Sequence, residues 1–546
     1  MNFAANFESD EKWDAASALL VRLTKRGAVL VGVASLVGCA SLPKPNPDWN
    51  KQSHVDTTNT TWARVLAPLE AKDAGFSGVW LLPYGHDALA ARLALADTAE
   101  RCLDVQYYMW KPDAAGRLLV DRLLRAADRG VRVRLLLDDI GTSAADADLL
   151  ALESHTNIEV RLFNPVANRA FRGLSMLFNL PRTNRRMHNK SFTTDTSITI
   201  IGGRNVEDCY YAFGENPIFA DFDAIIAGPG AREVTAMFER YWFSPVSIPI
   251  QALTEKRVSA ETSATRRATL NEHLIAITNS PDFQALTPNQ VGAELLRHEL
   301  QLVWGPTRLV TDQPEKVTTD VNDTATHLLP ELRDVVDRTT QELLVVSPYF
   351  VPGEKGVAFL RSLRERGVRV MVLSNSLAAN DVAAVHVGYR RYRKALLRAG
   401  VELWEIKPNL KIRGTPAVAG TPAEDTDKRG RSSLHAKSFV FNRETLFVGS
   451  LNLDPRSISL NTEMGMLIAI PKLANQVAES LEAKLRDSAY RLEFVPGPGP
   501  CKECGSIVWH SYENGQEVNY THEPKASFWR RLQVCFLSFL PIESQL

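Results

Sequence analysis

Hydrophobic positions along the chain change spacing repeatedly, and each change predicts a change between helix and strand. Residues 87–101 carry apolar side chains at helical spacing, and residues 102–110 have a strand pattern. Residues 115–129 predict an amphipathic helix that is stopped by Gly130, and residues 131–137 are a run of mainly apolar residues that predicts a buried strand. Such a run between helices is typical of a strand covered on both faces. This part of the chain therefore predicts an α/β fold.

The same succession of patterns returns in the second half of the chain. The predicted elements are a helix at 325–340, a strand at 342–349, a helix at 355–366, a strand at 368–374, a helix at 381–399 and a strand at 401–406. Residues 250–300 have a helical pattern and connect the two halves.

Sequence identity between the halves indicates a duplication. Three segments recur in one order, with an offset that grows from 237 to 247 residues: 129–139 at 366–376, 158–165 at 401–408, and 188–205 at 435–452. A period of this length indicates duplicated domains and not a solenoid. We therefore predict a first domain at 75–300 and a second at 301–495.

The N-terminus has the pattern of a bacterial lipoprotein signal peptide. A basic segment at 22–26 precedes 12 apolar residues at 27–38, which are too few to cross a bilayer. Cleavage before Cys39 would let its thiol carry a lipid anchor. The alternative is a short buried helix with a chance cysteine. We expect a signal peptide at 1–38.

The residues after Cys39 bear on location. Residues 39–74 begin with a polar segment rich in Pro and Asn, which predicts a tether between the lipid and the body of the protein. An anchored chain would face the periplasm from a membrane of the cell envelope. Ala40 stands where Asp would indicate retention in the inner membrane, so the outer membrane is slightly favoured.

Two apolar segments are candidates for membrane contact. Residues 169–181 form an apolar loop just before the first motif, and residues 528–542 combine a Trp and two Arg with an apolar face. Core packing is the alternative for both. The second segment belongs to an appendix at 496–546, in which Glu513-Asn514-Gly515 predicts a hairpin turn.

Charge balance and cysteine spacing bear on which partners and ligands the chain is expected to bind. The 63 basic residues balance 63 acidic residues, which disfavours nucleic acid as a partner because phosphate binding usually requires a basic surplus. Cys501 and Cys504 are spaced like metal ligands, but only His510 lies nearby. A local disulfide or two inert thiols is the favoured interpretation. No metal site is predicted.

The third repeated segment carries the chemistry. In each copy a His and a Lys alternate on a strand, an apolar strand follows, and a Gly-rich turn bears an Asn. Period-two geometry places His and Lys on one face, and the returning strand brings the Asn to them. The residues are His188, Lys190, Asp195 and Asn205 in the first copy, and His435, Lys437, Asn442 and Asn452 in the second.

This set of residues fits phosphodiester cleavage through a covalent intermediate on histidine. One neutral imidazole attacks phosphorus, and a second, protonated imidazole gives its proton to the leaving alcohol. Lys190 and Lys437 would neutralise the non-bridging oxygens, and Asn205 and Asn452 would donate hydrogen bonds to them. Each copy supplies half a site, so the domains must share one active site on a pseudo-twofold axis. No cofactor is required.

The paired motifs resemble those of the phospholipase D superfamily, the HKD enzymes, over about residues 75–495. Within it the sequence is most similar to bacterial cardiolipin synthases of the C type, at 107–110, 203–208, 449–457 and 461–465. The resemblance implies two α/β sandwich domains, metal-independent transfer, a phosphohistidine on the first motif and protonation by the second.

The resemblance also implies supporting residues. Family members orient each His with a downstream carboxylate, which implies Glu463 for His435 and Asp223 for His188. Asp195 retains the motif's Asp, whereas Asn442 replaces it in the second copy. That position is expected to support the strand, so the replacement predicts a tuned site and not an inactive one.

The expected function is transfer of a phosphatidyl group between phospholipids, and specifically cardiolipin synthesis. The alternatives are a phospholipase D that uses water, a nuclease, and a catalytically weak lipid-binding envelope lipoprotein. Phospholipids and a membrane are the expected partners. The sequence assigns no accessory protein and no donor headgroup.

Overall fold

The structure is a computed structural model that describes residues 41–50, 55–169, 172, 179–214, 218–254, 256–287, 289–408, 432–497 and 504–540. Within these ranges, no helix is both long enough and apolar enough to span a membrane. The signal peptide predicted at 1–38, Cys39 and most of the apolar loop predicted at 169–181 lie outside the described residues.

The first half of the chain builds a nine-stranded sheet. The strands of this half are β1 (Ser77–Leu82), β2 (Cys102–Tyr107), β3 (Arg132–Asp138), β4 (Ile158–Phe163), β5 (Ser191–Thr194), β6 (Ile198–Gly202), β7 (Ile218–Ala220), β8 (Asp223–Ala227), β9 (Ser247–Pro249) and β10 (Val303–Gly305). Their order in the sheet is β10-β1-β8-β6-β5-β2-β3-β4-β9, and β7 lies outside it.

The second half builds a ten-stranded sheet. Its half of the chain contains β11 (Thr307–Thr311), β12 (Glu342–Val346), β13 (Arg369–Asn375), β14 (Glu402–Ile406), β15 (Ser432–Leu434), β16 (Ser438–Phe441), β17 (Thr445–Gly449), β18 (Met464–Ile468), β19 (Ala489–Pro496), β20 (Gly505–Glu513) and β21 (Gln516–Tyr520). The order is β11-β18-β17-β16-β12-β13-β14-β19-β20-β21.

Strand order confirms the duplication predicted from sequence. The run β1-β8-β6-β5-β2-β3-β4 in the first sheet corresponds to β11-β18-β17-β16-β12-β13-β14 in the second. The pairing directions agree as well, because β2-β3-β4 and β12-β13-β14 are parallel and the other strands of each run pair antiparallel. The sheets change over at Pro306, between β10 and β11.

Helices cover the sheets, and their apolar sides form the cores. The α-helices are α1 (Thr61–Lys72), α2 (Gly85–Thr98), α3 (Ala114–Asp128), α4 (Asp146–Glu153), α5 (Leu180–Thr183), α6 (Pro229–Trp242), α7 (Ala260–Thr278), α8 (Pro281–Leu286), α9 (Gln290–Leu296), α10 (Arg333–Asp337), α11 (Gly353–Glu365), α12 (Ala383–Arg398), α13 (Pro455–Ser459), α14 (Pro471–Ser488) and α15 (Phe528–Leu537). Short 3₁₀ turns lie at Pro47–Asn50, Asp208–Tyr210, Ile250–Ala252, Pro314–Val317, Thr324–Thr326 and Leu329–Leu332.

One hydrophobic core joins the two domains. It contains residues from both sheets together with helices α6 and α14, including Met237 and Phe238 on one side and Met466 and Leu473 on the other. Two further cores are each confined to one domain. The two domains are therefore held together by a shared apolar interior, which fixes the position of any site between them.

Two predicted segments differ from the structure. The helix predicted at 325–340 is broken into 3₁₀ turns followed by α10, because Pro330 lies in the segment and the backbone N–H of Leu328 donates to the Asp312 carboxylate. The tether predicted at 39–74 is shorter, because α1 packs Trp62 and Leu66 into the first core.

The C-terminal appendix extends the second sheet. Strands β20 and β21 add to the edge at β19, and Asn514 and Gly515 both have positive φ in the turn between them. This turn is the hairpin predicted at Glu513-Asn514-Gly515. Helix α15 follows and packs on α12.

Candidate active site

Each motif histidine is positioned by the other domain. The backbone N–H of His188 donates to the carbonyl of Thr462 at 2.8 Å, and the N–H of His435 donates to the carbonyl of Ala220 at 2.8 Å. Next to these contacts, the backbone of Met187 forms a parallel β-bridge with that of Thr462, and strand β15 of the second domain pairs in parallel with β7 of the first. The two histidines can therefore be placed only when both domains are assembled.

The carboxylate partners cross between the domains in the same way. Nδ1 of His188 lies 2.8 Å from Oε2 of Glu463, and Nδ1 of His435 lies 2.6 Å from Oδ2 of Asp221. The pairing expected from the resemblance, Glu463 with His435 and Asp223 with His188, is therefore wrong. Glu463 does orient a histidine, but it is the histidine of the other domain.

Asp223 instead forms buried ion pairs within the first domain. Its Oδ2 accepts from Arg92 at 2.9 Å and lies 3.3 Å from Nη1 of Arg204, and all three side chains are buried. Strand register explains the difference. Gly202 pairs with Asp223 in the first sheet and Gly449 with Gly465 in the second, so Asp221 and Glu463 each lie two residues before matching positions.

The two carboxylates are supported differently. Oγ of Ser450 donates to Oε2 of Glu463 at 2.5 Å. The matching position in the first copy is Gly203, where an added Cβ would lie 2.2 Å from Oδ1 of Asp221. Glycine at 203 therefore leaves the room that Asp221 occupies, and Asp221 accepts instead from the backbone N–H of Phe222 at 2.7 Å.

The two motif lysines are buried beside the histidines, as predicted. Nζ of Lys190 donates to the carbonyl of His188 at 2.5 Å, and Nζ of Lys437 lies 2.8 Å from Nδ1 and 3.1 Å from Nε2 of His435. Burial lowers the pKa of Lys190 and of His188, and the charge of Lys437 lowers both further, so charges from both domains act on one another. The structure thus assembles one cluster of cations from the two halves.

The motif asparagines lie at the cluster with unequal partners. Nδ2 of Asn205 donates to the hydroxyl of Tyr210 at 2.9 Å, and that hydroxyl lies 3.4 Å from Nε2 of His435. Oδ1 of Asn452 is buried and meets no hydrogen-bond partner within the described ranges. Tyr210 was not identified from the sequence, because it lies outside the repeated motif on a 3₁₀ turn of the first copy alone.

Asp195 was named with the motif residues that carry the chemistry, but its carboxylate clamps a strand and is not part of the reacting cluster, as expected for a supporting position. Its carboxylate accepts from the backbone N–H groups of residues 100, 101 and 102. His188 precedes β5 and Asp195 follows it, so the two lie roughly 20 Å apart at the strand rise of about 3.3 Å per residue. The equivalent Asn442 accepts from the N–H groups of residues 340, 341 and 342, which makes it the same clamp.

The electrostatic environment favours a neutral His188. Burial lowers the pKa of His188 to about 4, although the Glu463 carboxylate opposes the shift. No residue in the described part of the chain hydrogen-bonds to its Nε2, so that nitrogen keeps a free lone pair when Glu463 holds the proton on Nδ1. A neutral imidazole with this tautomer is a competent nucleophile.

The pKa values of the other titratable groups in the cluster are set by burial and by the neighbouring charges. Burial lowers the pKa of Lys437 to about 8, and burial together with the charge of Lys437 lowers the pKa of His435. Burial opposes ionisation of Asp221 and Glu463, but their contacts with His435, His188 and the lysines lower the pKa of both carboxyls. The cluster therefore contains two ionised carboxylates among four basic groups whose pKa values are lowered. A bound phosphate would raise those pKa values and favour the charged forms, which suits an anionic substrate.

Aromatic rings enclose both imidazoles. The ring of Tyr108 stands 5.1 Å from that of His188, and the rings of Tyr210 and Phe219 stand 5.0 and 5.3 Å from that of His435. These rings limit access of water to the histidines. A cavity of about 680 Å³ lies elsewhere, between α7, α3 and α4, and neither histidine lines it.

Cysteines add one observation. Cys504 is disulfide-bonded, whereas Cys501 and Cys39 lie outside the described residues. Cys102 and Cys209 are buried free thiols, and Cys535 is an exposed one. The disulfide at Cys504 agrees with the interpretation favoured over a metal site.

Comparison with known proteins identifies a matching family and similar sequences. Residues 93–242 and 332–485 match the family described as "Cardiolipin synthase, PLD-like domain". The chain is 40% identical to cardiolipin synthase C of Escherichia coli (strain K12) over 88% of this chain and 98% of that protein. It is 26% identical to cardiolipin synthase A of Pseudomonas aeruginosa (strain UCBPP-PA14) over 77% of this chain and 68% of that protein.

A solved structure supports the architecture. The phosphatidylserine synthase of Haemophilus influenzae Rd KW20 superposes with a TM-score of 0.52 at 15% identity, covering 79% of this chain and 92% of that chain. This likeness concerns the fold alone. The two family matches and the relative that is 40% identical over 98% of its length show that the chain belongs to the phospholipase D-like family of cardiolipin synthase domains.

Proposed function

We propose that this protein transfers a phosphatidyl group from one phospholipid to the glycerol headgroup of another, making cardiolipin. The observation that carries the proposal is the crossed pair of histidines: each domain supplies one imidazole and the carboxylate that orients the other domain's imidazole. Two imidazoles and two lysines in one buried cluster suit in-line displacement at a phosphodiester.

The first half-reaction assigns a role to each histidine. The lone pair on Nε2 of His188 attacks phosphorus, the bond from phosphorus to the headgroup oxygen breaks, and His435 gives its proton to the departing alcohol. The lysines offset the charge on the non-bridging oxygens. Bound phosphate would raise the pKa of His435 and so favour the protonated form that this step requires.

The second half-reaction reverses the roles. His435, now neutral, takes the proton of the acceptor hydroxyl, the acceptor oxygen attacks phosphorus, and the bond to His188 breaks with return of its lone pair. Water competes at about 55 M, so transfer to a lipid requires an oriented acceptor, and orientation can supply very large effective concentrations. The 40% identity to a cardiolipin synthase over nearly the full length of that protein favours a lipid alcohol over water as acceptor.

Product analysis tests this proposal. Purified protein is mixed with bilayers of phosphatidylglycerol, and cardiolipin and phosphatidic acid are quantified. We expect cardiolipin to outweigh phosphatidic acid in the parent protein. Dominance of phosphatidic acid with abundant phosphatidylglycerol would instead establish a phospholipase D, and absence of both products would leave a lipid-binding protein.

The site of action is also part of the proposal. The lipobox at Cys39 would anchor the protein in the cell envelope, facing the periplasm, with the outer membrane favoured by Ala40. Labelled palmitate should enter the parent protein and not the Cys39→Ser variant. Equal labelling of both, or none in the parent, would overturn the anchor.

A further inference from the structure

The C-terminal helix α15 exposes an unusually apolar side. Phe528, Trp529, Leu532, Phe536 and Phe539 are 70, 74, 48, 68 and 80% exposed. Their spacing of one, three, four and three residues keeps them on one side of a helix and its last turn. Single exposed apolar residues are ordinary, but a contiguous aromatic stripe indicates an interaction surface.

The opposite side of α15 is firmly packed, so the stripe does not result from a loosely placed helix. Val534 is buried among residues of α12 and the preceding loop, including Ala383 and Val387. A guanidinium nitrogen of Arg530 donates to the carbonyl of Asn380 at 2.5 Å. Ser527 caps the helix by accepting from the backbone N–H of Arg530. The helix is therefore fixed with its apolar stripe outward.

Charge near the stripe is positive. Between residues 524 and 540 the sequence contains Lys525, Arg530 and Arg531 and no acidic residue. The neighbouring helix α12 adds exposed cations at Arg390 and Arg391, and a guanidinium nitrogen of Arg391 donates to the carbonyl of Ser538 at 3.4 Å. Aromatic residues, Trp above all, together with Lys and Arg are the composition that binds the interface of an anionic bilayer.

The stripe lies beside the part of the active site that contains His435. The ring of Tyr349 stands 6.5 Å from that of His435, and its hydroxyl donates to the carboxylate of Asp381 at 2.7 Å. Asp381 and Val382 are exposed and directly precede α12, on which α15 packs. A surface that contacts α15 therefore also lies close to Asp381 and Tyr349, which connect the start of α12 to the surroundings of His435.

A second copy of the chain fits this face less well. In a twofold pairing the same patch meets itself, so the cations around the stripe would face the cations of the other copy. A bilayer containing anionic lipids offers apolar chains to the stripe and negative headgroups to the flanking Arg and Lys side chains. Charge complementarity therefore favours the lipid surface.

We propose that the exposed stripe of α15, formed by Phe528, Trp529, Leu532, Phe536 and Phe539, is a membrane-docking face. It holds the opening of the active site against an anionic bilayer. The proposal rests on the proposed function for its purpose, since the substrates are bilayer lipids, but the docking itself is measurable without catalysis.

The exposed thiol of Cys535 allows a direct test. An environment-sensitive fluorophore is attached to Cys535 in the full chain carrying Cys39→Ser, with Cys535→Ser as the labelling blank. Vesicles of phosphatidylglycerol and phosphatidylcholine should shift the emission to shorter wavelength, and brominated acyl chains should quench it. Vesicles of phosphatidylcholine alone should produce a several-fold weaker response.

Matched variants separate the stripe from general hydrophobicity. We expect the Phe528→Ser, Trp529→Ser, Phe536→Ser variant to lose at least tenfold in vesicle binding. A control with Ile275→Ser, Leu296→Ser and Phe359→Ser removes three apolar residues that are 64, 51 and 42% exposed elsewhere, and it should bind like the parent. Parental binding by the stripe variant, or an aqueous spectrum at Cys535 on anionic vesicles, would overturn the proposal.

Activity distinguishes docking from catalysis. On short-chain phospholipids dispersed as monomers, the stripe variant should keep the parental rate, whereas on vesicles it should lose about tenfold or more. An equal loss on both substrates would show that α15 serves folding, and a lipid-free dimer abolished by the same substitutions would assign the stripe to self-association. Quenching at Cys535 in a protein that transfers no phosphatidyl group would retain the docking face and refute only the proposed function.

Discussion

The two halves of the candidate active site share the same frame of residues but differ in the surroundings of Nε2 of the histidine. Around His188, Glu463 holds Nδ1 with support from Ser450, and Nε2 has no hydrogen-bond partner within the described ranges. Around His435, Asp221 holds Nδ1, while the Tyr210 hydroxyl and Nζ of Lys437 lie 3.4 and 3.1 Å from Nε2.

This difference assigns unequal tasks to duplicated residues. A nucleophile needs an unengaged lone pair, which His188 has. A proton donor benefits from neighbours that position its proton and adjust its pKa, which His435 has. Duplication therefore supplies the symmetric frame of histidines, lysines and crossed carboxylates, and residues outside the repeated motifs, such as Tyr210, make the two halves unequal.

Removing charge from the crossed carboxylates should have the largest effect. Glu463→Gln and Asp221→Asn each keep the shape but can impose the wrong imidazole tautomer, so we expect kcat to fall by about 10³-fold. Rapid-quench kinetics should separate them, because Glu463→Gln stops formation of the intermediate, whereas Asp221→Asn slows both its formation and its breakdown.

Asp223→Asn provides the contrast for these variants. It removes a buried partner of Arg92 and should cost about 3–5 kcal/mol of unfolding free energy, measured by denaturant titration. The protein that remains folded should keep kcat within a few-fold of the parent. A loss of kcat as large as that of Glu463→Gln, at unchanged stability, would return Asp223 to the reacting cluster.

The pH dependence should also be asymmetric. Because the pKa of His188 is about 4, its neutral form persists down to that pH. On the acid side, kcat/KM should therefore fall only as the pH approaches about 4. The alkaline limb should begin with deprotonation of His435, whose pKa is lowered by burial and by Lys437, and loss of the Lys437 charge, with a pKa of about 8, should steepen the limb above about pH 8. Lys437→Arg should move the alkaline limb upward; an unmoved limb would assign it to another group.

Stability should follow the same shift of the His188 pKa. Folding lowers this pKa, so the unfolded chain binds more protons below the ordinary value of 6.5. The contribution of neutral His188 to stability is therefore present above pH 6.5 and is lost as the pH falls towards 4. A His188→Gln variant should show a flatter decline over this range in denaturant titrations.

A smaller effect is expected from Tyr210→Phe. The substitution removes the hydroxyl between Asn205 and His435, so we expect kcat to fall by up to about tenfold, or roughly 1.4 kcal/mol of barrier. Tyr211→Phe is the matched control, because the hydroxyl of Tyr211 has no hydrogen-bond partner within the described ranges. Equal effects of the two substitutions would remove Tyr210 from the comparison.

The smallest effect belongs to the strand clamps. Asn442→Asp keeps the oxygen that accepts from three backbone N–H groups and loses only the contact from Nδ2 to the carbonyl of Arg338. The rate should change within about tenfold. An increase of several orders of magnitude would mean that the natural protein is nearly inactive and would favour a lipid-binding role.

Much of this arrangement could be predicted from sequence, because the duplication repeats both the strand pattern and the motif spacing. His188 and Lys190 directly precede β5, and His435 and Lys437 directly precede β16. The alternation read from the sequence still puts the members of each pair together. The two α/β domains follow from the same repeat. The crossed carboxylates could not be predicted, because a carboxylate's partner depends on how the domains dock and not on its distance along the chain.

The choice between Asp221 and Asp223 shows this limit in detail. The two residues are separated by one position, so both fit a carboxylate on the same face of an extended segment. Only the register, with Asp223 opposite Gly202, sends Asp221 towards the other domain and leaves Asp223 to Arg92 and Arg204. The segmented helix at 325–340 was missed for a related reason, since Pro330 and the hydrogen bond that the Asp312 carboxylate accepts from the backbone N–H of Leu328 override its helical pattern.

The central claim is that His188 carries the phosphatidyl group while His435 moves the protons, and trapping the intermediate tests it most directly. Protein is mixed briefly with phospholipid labelled in its phosphate, quenched in alkali, and digested to locate labelled histidine. We predict label on His188 in the parent, no label in His188→Ala, and slow gain and slow loss of label in His435→Ala. Label that survives His188→Ala and disappears only in His435→Ala would contradict the account and reverse the two roles.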